Sequence, residues 1–576
     1  MTTAVPDLAF APILLAVPLL PLLLATGLAI PALRRFCLSL APWAAVPALA
    51  AALLLPTDAV LEVPALLLGA RFGVDQTGQA FLLFTGLLWW LAGLFGSHYM
   101  ADDPGRVRYT AFYLVAMGGS LGISICLDLA SFFVLFAVMS FSSYGLVVHN
   151  GDEAAKRAAR IYIALAVLGE TFLFAAIALI VSNGEAVLPY RGPVSSDALI
   201  ALLFLGFGIK AGALPLHFWL PLAHPAAPVP ASAVLSGAMI KAGLLGWIRF
   251  LPLGAVNEPE WGLTFVIAGL AAAFYGALVG VLKDTPKTVL AYSSISQMGL
   301  MTIAIGIALT SPEAAPLALA AAVIYALHHG LAKGALFLGV GMATYAGSLR
   351  SAVLIGLLLP AVALMGLPLT SGAVAKAALK SAVGLTAWSV WLDPLLALAA
   401  VGTTLLMARF LFTLHSMTNG QHSAKPGLWS SWAALMLTVA LLVWFWPPAQ
   451  TSIEAALSMD KMWGSLWPPL LGVLLAAMIW NAFWRPGEPS AEGRVGSILQ
   501  PFEAILRRAG GMVILLMTGA KSGLRGAGGQ AGGFLQLFED ILWRAGASAA
   551  AVMTKAELRL RDWPVAGVVF LLSLLL

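Results

Sequence analysis

Apolar runs of about 20 residues, separated by short polar breaks, fill the chain from residue 8 to residue 484. Each run holds at most one or two charges, and a helix of about 20 apolar residues crosses a hydrocarbon core roughly 30 Å thick. The pattern predicts an all-α, multi-pass membrane protein with about 14–16 transmembrane helices. Residues 485–576 differ, because glycine clusters and amphipathic stretches there precede a short apolar end. We expect them to form an extension along the cytoplasmic surface.

Arginine and lysine lie mainly in alternate loops. By the positive-inside rule these loops face the cytoplasm, which places the N-terminus on the other side of the membrane. They carry Arg34, Arg35, Arg106, Arg108, Lys156, Arg157, Arg160, Lys283, Lys287, Arg350 and Lys425. The composition agrees, since 61% of the residues are hydrophobic and 10% are charged. A typical soluble protein has about 25% charged residues, so an ordinary soluble protein is excluded.

The chain has two cysteines, Cys37 and Cys126, and both lie within apolar runs. This pattern excludes a disulfide framework, a zinc knuckle and an iron–sulfur ligand set. We therefore expect no metal and no cofactor in this chain, and any redox chemistry elsewhere. A net charge of +5, dispersed over the loops, does not indicate nucleic acid and suits the anionic face of a lipid bilayer.

Two apolar runs are interrupted by glycine and proline in mid-membrane. The breaks lie near Pro215 and near Pro368, and each has a lysine close by, Lys210 in the first and Lys376 in the second. Unwound backbone is tolerated at membrane depth where protein or water satisfies it, and paired breaks are typical of inverted-repeat transporters. We predict two inverted five-helix repeats with broken helices at these prolines. The alternative is a pair of ordinary proline kinks.

Ionisable residues recur inside the predicted spans. A charge at the centre of a membrane helix costs about 2.5–3.5 kcal/mol, so each needs a partner, a water-filled cavity or a function. Lysines dominate, and a buried lysine releases its proton more readily than an exposed one until a carboxylate approaches. Histidine can also take up and release a proton near physiological pH, so buried lysines and histidines together predict a proton relay. The residues are Asp128, Glu170, Lys210, His217, Lys241, His328, His329, Lys333, Lys376 and Lys380.

Three of these residues have a structural alternative. Asp128 begins a span, and we expect it to cap a helix. Lys380 lies near a predicted span end, where its side chain can reach the membrane interface. Glu170 is mid-span and is either a buried partner of a lysine or a titrating carboxylate.

Three motifs resemble a known family. They are KAGALPLHFWLPLAHPAAPVPASAVLSGAMIKAGLLGWIR at 210–249, LKDTPKTVLAYSSISQMG at 282–299 and HHGLAKGALF at 328–337. They are similar to the antiporter-like, proton-translocating membrane subunits of respiratory complex I, group 4 membrane-bound hydrogenases and multisubunit cation/proton antiporters. The resemblance covers about residues 100–420 and is closest to the hydrogenase-type and complex I fifth-subunit-like branch.

The resemblance implies roles for single residues. Lys210 would be the central lysine of the first half-channel, Lys241 the connecting lysine, and Lys376 the ionisable residue on the second broken helix. The implied relay is Lys210, Lys241, Glu170, His217, His328, His329, Lys333 and Lys376, without a catalytic residue, metal ligand or cofactor site. The family's glutamate in the fifth helix is missing, because Ala137 stands there. Either Glu170 takes over its pairing with Lys210, which we favour, or tight coupling is lost.

The resemblance also implies a domain organisation. We expect N-terminal transmembrane helices at 1–100, a first antiporter-like repeat at 101–255, a second at 256–420, additional transmembrane helices at 421–484 and the C-terminal extension at 485–576.

The implied function is a proton-translocating subunit of an energy-converting complex in the bacterial inner (plasma) membrane, similar to NADH:quinone oxidoreductase or membrane-bound hydrogenase. The chain would move H⁺ and carry no redox chemistry itself, although its complex could be an oxidoreductase. Its expected partners are other membrane subunits, redox or antiporter modules and the lipid bilayer. The alternatives are a cation/proton antiporter subunit that also handles Na⁺, a two-component inorganic carbon importer with a soluble zinc partner, and a non-conducting structural subunit.

Overall fold

A computed structural model describes residues 10–182, 184, 187–190, 196–417 and 425–483. The helices are α1 (Ala11–Gly27), α2 (Arg34–Leu40), α3 (Val46–Leu54), α4 (Gln76–Tyr99), α5 (Arg106–Gly122), α6 (Leu129–Val147), α7 (Glu153–Ser182), α8 (Asp197–Ala211), α9 (Trp219–Ala226), α10 (Val229–Val234), α11 (Lys241–Phe250), α12 (Pro259–Gly280), α13 (Pro286–Thr310), α14 (Ala315–Tyr345), α15 (Arg350–Gly356), α16 (Leu358–Met365), α17 (Ser371–Val383), α18 (Ser389–His415), α19 (Pro426–Phe445), α20 (Gln450–Leu457) and α21 (Met459–Phe483). The strands are β1 (Val60–Val63) and β2 (Ala70–Gly73). The predicted extension at 485–576 lies outside the described residues.

Thirteen helical segments of the described chain are long and apolar enough to cross a membrane. Two further helices of 17 residues, α1 and α5, pack against each other and against the bundle. The predicted all-α, multi-pass fold is therefore confirmed. The span Val229–Phe250 is 100% buried over its apolar window and α13 is 94% buried, so these segments form the centre of the bundle. Around them α14 contacts α4, α10, α13 and α17.

Both predicted interruptions are present as breaks between helices. α8 ends before Gly212, which has a φ of 75°, and α9 begins only at Trp219. α16 ends before Gly366, which has a φ of 80°, and α17 begins at Ser371. A positive φ of this size favours glycine, which explains the residue at each break. The inverted relation of the two halves stays a prediction.

A two-stranded antiparallel hairpin lies between α3 and α4. Val60 pairs with Gly73 and Val63 with Ala70, and a further bridge joins β2 to Cys126. The sequence analysis did not predict this hairpin, because each strand has four residues and lies between two long apolar helices.

Asp128 caps α6, as predicted. Its Oδ1 accepts a hydrogen bond from the Ser131 amide at 2.7 Å, and its Oδ2 accepts one from the Arg71 amide of β2 at 2.8 Å. The carboxylate thus satisfies an amide at the start of α6 that would otherwise lack a partner. It also attaches the hairpin to α6.

An ion pair joins α11 to the start of α4. Arg249 is 1% exposed and contacts both carboxylate oxygens of Asp75, the residue that caps α4, with 2.8 Å between Nη2 and Oδ1. The same Nη2 lies 3.5 Å from the Ser124 carbonyl oxygen. A two-point guanidinium–carboxylate pair fixes geometry as well as charge, so it holds the ends of these elements together.

We expect Asp75→Ala to destabilise the protein by about 3–5 kcal/mol, because it leaves the Arg249 guanidinium buried without its partner. Thermal unfolding of the purified protein in detergent measures this loss. The control is Asp102→Ala, since the ion pair of Asp102 with Lys425 at 2.9 Å is exposed and is worth at most about 1 kcal/mol. Equal stability of the two variants would contradict the prediction.

Candidate functional site

Lys210 is buried in the last turn of α8. Its Nζ donates a hydrogen bond to the Tyr162 hydroxyl at 2.8 Å, and that hydroxyl donates to the Ser140 carbonyl of α6 at 2.8 Å. The Phe136 and Tyr162 ring centroids lie 5.9 and 5.3 Å from Nζ. Aromatic faces and the C-terminal end of a helix both favour a positive charge. The site can therefore hold a positively charged lysine inside the bundle.

Glu170 lies on α7 and lines the same cavity as Lys210, a space of about 10 Å³, which is at the lower limit for holding one water molecule. Its side chain is 6% exposed, and its Oε1 has no hydrogen-bond partner among the described residues. The charges of Glu170 and Lys210 act on each other across the cavity. Ala137 is not part of the cavity lining, whereas Phe136 and Ser140 of the same helix are. Among the described residues that line this cavity, the carboxylate is that of Glu170 on α7.

Lys241 follows a turn of wide, π-type helix at Leu235–Met239. The backbone bonds of such a turn span one residue more than those of an α-helix, and π-turns are frequent at functional sites. The Ser236 carbonyl in this turn accepts a hydrogen bond from Lys241 Nζ at 2.5 Å. The Ser236 hydroxyl lies 2.7 Å from that of Ser294 on α13. Lys241 is completely buried between these helices.

His328, His329 and Lys333 lie on α14, and each is at most 2% exposed. Lys333 Nζ donates to a backbone carbonyl of α13 at 2.8 Å. The charges of Lys241 and Lys333 both act on His329, whose ring nitrogens have no partner within the described part of the chain. His328 Nδ1 lies 2.8 Å from the Ser371 hydroxyl at the start of α17. α14 thus connects the central lysines to the second break.

Lys376 lies on α17, and its ammonium contacts the carbonyl of Met365, the last residue of α16. The break therefore places this positive charge at the C-terminal, negative end of a helix. Lys376 also lines a cavity of about 140 Å³ together with Lys380, Asp393 and Asp460. This cavity connects the second break with α18 and α21.

His217 lies within the first break, and its ring packs edge-on against Tyr275 of α12 with 4.8 Å between the centroids. It is absent from the described lining of the Lys210 cavity. The structure therefore brings Glu170 together with Lys210, and it brings Lys241 together with His329 and Lys333. It also brings His328 to the start of α17. His217 lies apart from these groups.

Sequence reasoning missed Tyr162, the hydrogen-bond acceptor of Lys210. Its signal is the spacing of Tyr162, Ala166 and Glu170, which lie four residues apart and therefore on one face of α7. Ser371 was also missed, because its bond to His328 joins residues 43 positions apart.

Within the described residues, no group of three or more His, Cys, Asp or Glu side chains could hold a metal ion. The expectation that this chain binds no metal and no cofactor stays a prediction. The ionisable groups described above are buried lysines and histidines and one buried carboxylate, the side-chain types that can exchange protons.

Residues 126–407 match the family described as NADH:quinone oxidoreductase/Mrp antiporter, TM. The match covers the central part of the chain, slightly less than half of its length, and over these residues the chain is similar to this family. The matched region contains every residue of the predicted relay, from Glu170 to Lys376. The protein is an integral, multi-pass membrane protein, with 13 helical segments in its described part that are long and apolar enough to span a membrane.

Two curated relatives are Hydrogenase-4 component B of Escherichia coli (strain K12) and a probable K(+)/H(+) antiporter protein of Rhizobium meliloti (strain 1021). The first is 32% identical over 46% of this chain and 42% of the relative, and the second is 30% identical over 54% and 33%. The chain thus matches less than half the length of these relatives. The structure of the Mrp complex from Dietzia sp. DQ12-45-1b aligns with a TM-score of 0.67 and 22% identity, covering 93% of this chain and 63% of that one. This likeness shows a shared fold.

Proposed function

We propose that this chain is a proton-translocating membrane subunit of an energy-converting complex. The observation that carries the proposal is the series of buried ionisable groups that runs from Glu170 and Lys210, through Lys241 and Lys333, to Lys376. Each of these groups is held at a backbone carbonyl, a hydroxyl or a small cavity inside the bundle. Buried charges are costly in a membrane, so a series of them on successive helices supports ion transport over a structural role.

The energies involved are compatible with this role. Moving one elementary charge against 100 mV requires about 2.3 kcal/mol. Bringing a carboxylate near a buried ammonium, or separating them, changes the free energy by several kcal/mol. A change in the interaction between Glu170 and Lys210 could therefore drive a proton from one half of the protein to the other.

The driving reaction lies in partner subunits under this proposal. The relative in hydrogenase-4 favours a complex with a redox module of the hydrogenase or NADH:quinone oxidoreductase type. A second candidate is a role in a cation/proton antiporter, which the K(+)/H(+) antiporter relative favours. In both cases this chain moves protons through the same residues, and the partner determines the source of energy.

Replacing Lys333 by alanine tests the relay at its centre. The purified complex is placed in lipid vesicles, a potassium diffusion potential is imposed with valinomycin, and proton entry is followed with a pH-sensitive dye. We expect proton flux to fall at least about 100-fold, because a proton carrier is removed from the middle of the path. The control is Lys156→Ala, since the ion pair of Lys156 with Glu153 is solvent-exposed. Equal flux through the Lys333 variant and the wild type would contradict the proposal.

Mass spectrometry of the same purified complex identifies the partners. A hydrogenase or quinone module supports redox coupling, and small antiporter subunits support cation exchange. A soluble zinc protein as the single partner would replace both proposals with the importer.

A further inference from the structure

His224 is completely buried near the end of α9, and both of its ring nitrogens lack a hydrogen-bond partner among the described residues. Its ring stacks on Phe337 of α14, with 4.7 Å between the centroids. A buried polar atom without a hydrogen-bond partner destabilises the folded protein. A phenylalanine would make the same stack without that cost, so packing alone does not account for an imidazole at this position.

Lysines on three different helices interact electrostatically with the ring. The charges of Lys333, Lys287 and Lys241 all act on it. Lys333 lies one helical turn before Phe337 on α14, so its side chain projects from the same face as the stacked ring. The imidazole therefore lies next to the centre of the proposed relay.

Lys287 lies in the first turn of α13 and is partly exposed, in one of the loops predicted to face the cytoplasm. Its Nζ donates to the Ala227 carbonyl at 2.5 Å, three residues after His224. The Ser232 hydroxyl donates to the His224 carbonyl at 2.9 Å and contacts the Ala227 carbonyl at 3.3 Å. The Lys287 bond holds the end of α9 against α13, and the Ser232 bonds hold it against α10. His224 therefore lies close to Lys287 and, through its stack on Phe337, against the helix that carries Lys333.

We propose that Lys287 and His224 form the entrance through which protons pass from the cytoplasmic face to Lys333 and Lys241; this inference rests on the proposed function. A proton from Lys287 binds one imidazole nitrogen, and the proton on the other nitrogen leaves toward Lys333, so one proton enters and one leaves.

His224→Phe and His224→Gln test the entrance in the vesicle assay with the intact complex. Phenylalanine keeps the stack on Phe337, and glutamine keeps polar atoms, but neither carries a proton. We expect both to lower the flux at least about tenfold. The control is His415→Phe, because His415 is exposed at the end of α18. Wild-type flux through His224→Phe would overturn the proposal and show that the ring acts by packing.

A second experiment tests which side of the membrane the entrance faces. The native cysteines Cys37 and Cys126 are buried, so a cysteine at position 287 can be modified selectively. We expect Lys287→Cys to lower the flux at least about tenfold, because it removes the amine at the entrance, and we expect a membrane-impermeant thiol reagent to modify this cysteine from the cytoplasmic side and not from the other side. Wild-type flux through Lys287→Cys, or modification from the opposite side alone, would overturn the entrance.

Different results would contradict the proton-translocating function and the proposed entrance at Lys287 and His224. If Lys333→Ala stops the flux while both His224 variants conduct normally, the relay stands and the entrance is wrong. If wild-type vesicles conduct no more than empty ones, both the proposed function and the entrance are overturned.

Discussion

Lys210→Ala abolishes potential-driven proton flux through the complex, to below about 1% of the wild-type rate. Lys210 is the one lysine in the described cavity of the first half, and its ammonium is held by Tyr162 and the Phe136 ring. Without it, Glu170 has no cation across the cavity with which to exchange a proton. The measurement is dye-reported proton entry into vesicles under a valinomycin potential.

Lys210→Arg separates proton release from charge. Arginine keeps the positive charge but does not give up its proton in proteins, so we expect this variant to be as inactive as Lys210→Ala. Thermal unfolding in detergent checks that both variants fold. If Lys210→Arg conducted protons at the wild-type rate, Lys210 would supply charge and no proton, and the path would have to avoid it.

Glu170→Gln lowers the flux at least about tenfold, which is the second large effect we expect. Glutamine has nearly the same shape but carries no charge and takes up no proton, so Lys210 loses the partner that favours its charged state. Glu170 is 6% exposed and lines the Lys210 cavity, which supports this role. The same vesicle assay measures the change, with the rate compared at several imposed potentials.

A matched control lies on the same helix. Glu153 begins α7 and its side chain is 82% exposed, so Glu153→Gln changes the same functional group without reaching the cavity. We expect wild-type flux from this control. Unchanged flux in Glu170→Gln, together with its loss in Lys210→Ala, would mean that the switch carboxylate was not relocated to α7 and that coupling in this half uses another group.

Ala137 of α6 lies outside the described lining of the Lys210 cavity. Phe136 and Ser140 of α6 line the Lys210 cavity, and Ala137 does not. A carboxylate on α6 is thus absent from the described lining, while Tyr162 and Glu170 extend from α7 toward the lysine. The described cavity takes its tyrosine and its carboxylate from α7, which supports the proposed pairing of Lys210 with Glu170.

Local patterns in the sequence were sufficient to predict the membrane spans, the two helix breaks and the buried lysines. Apolar runs predict the spans because hydrocarbon forces each segment to satisfy its own backbone hydrogen bonds within a helix. Glycine and proline predict the breaks at Gly212 and Gly366, because the positive φ that ends each helix is a property of single residues. The buried lysines can also be recognised from local sequence, because a charged residue is rare within an apolar segment.

The partners of those lysines depended on the tertiary structure. The contact of Lys210 with Tyr162 joins residues 48 positions apart, and that of Gln297 with Thr403 joins residues 106 positions apart. The four-residue strands of the hairpin carry too little pattern to be found beside long apolar helices.

The sequence by itself determined which residues carry charge into the membrane, because the cost of burial arises locally in each helix. Only the tertiary structure decided which charges meet, because helix packing sets the distances between side chains. It placed Glu170 and Lys210 in one cavity, left His217 outside that cavity, and stacked the His224 ring on Phe337 of α14, near the contact of Lys287 with Ala227.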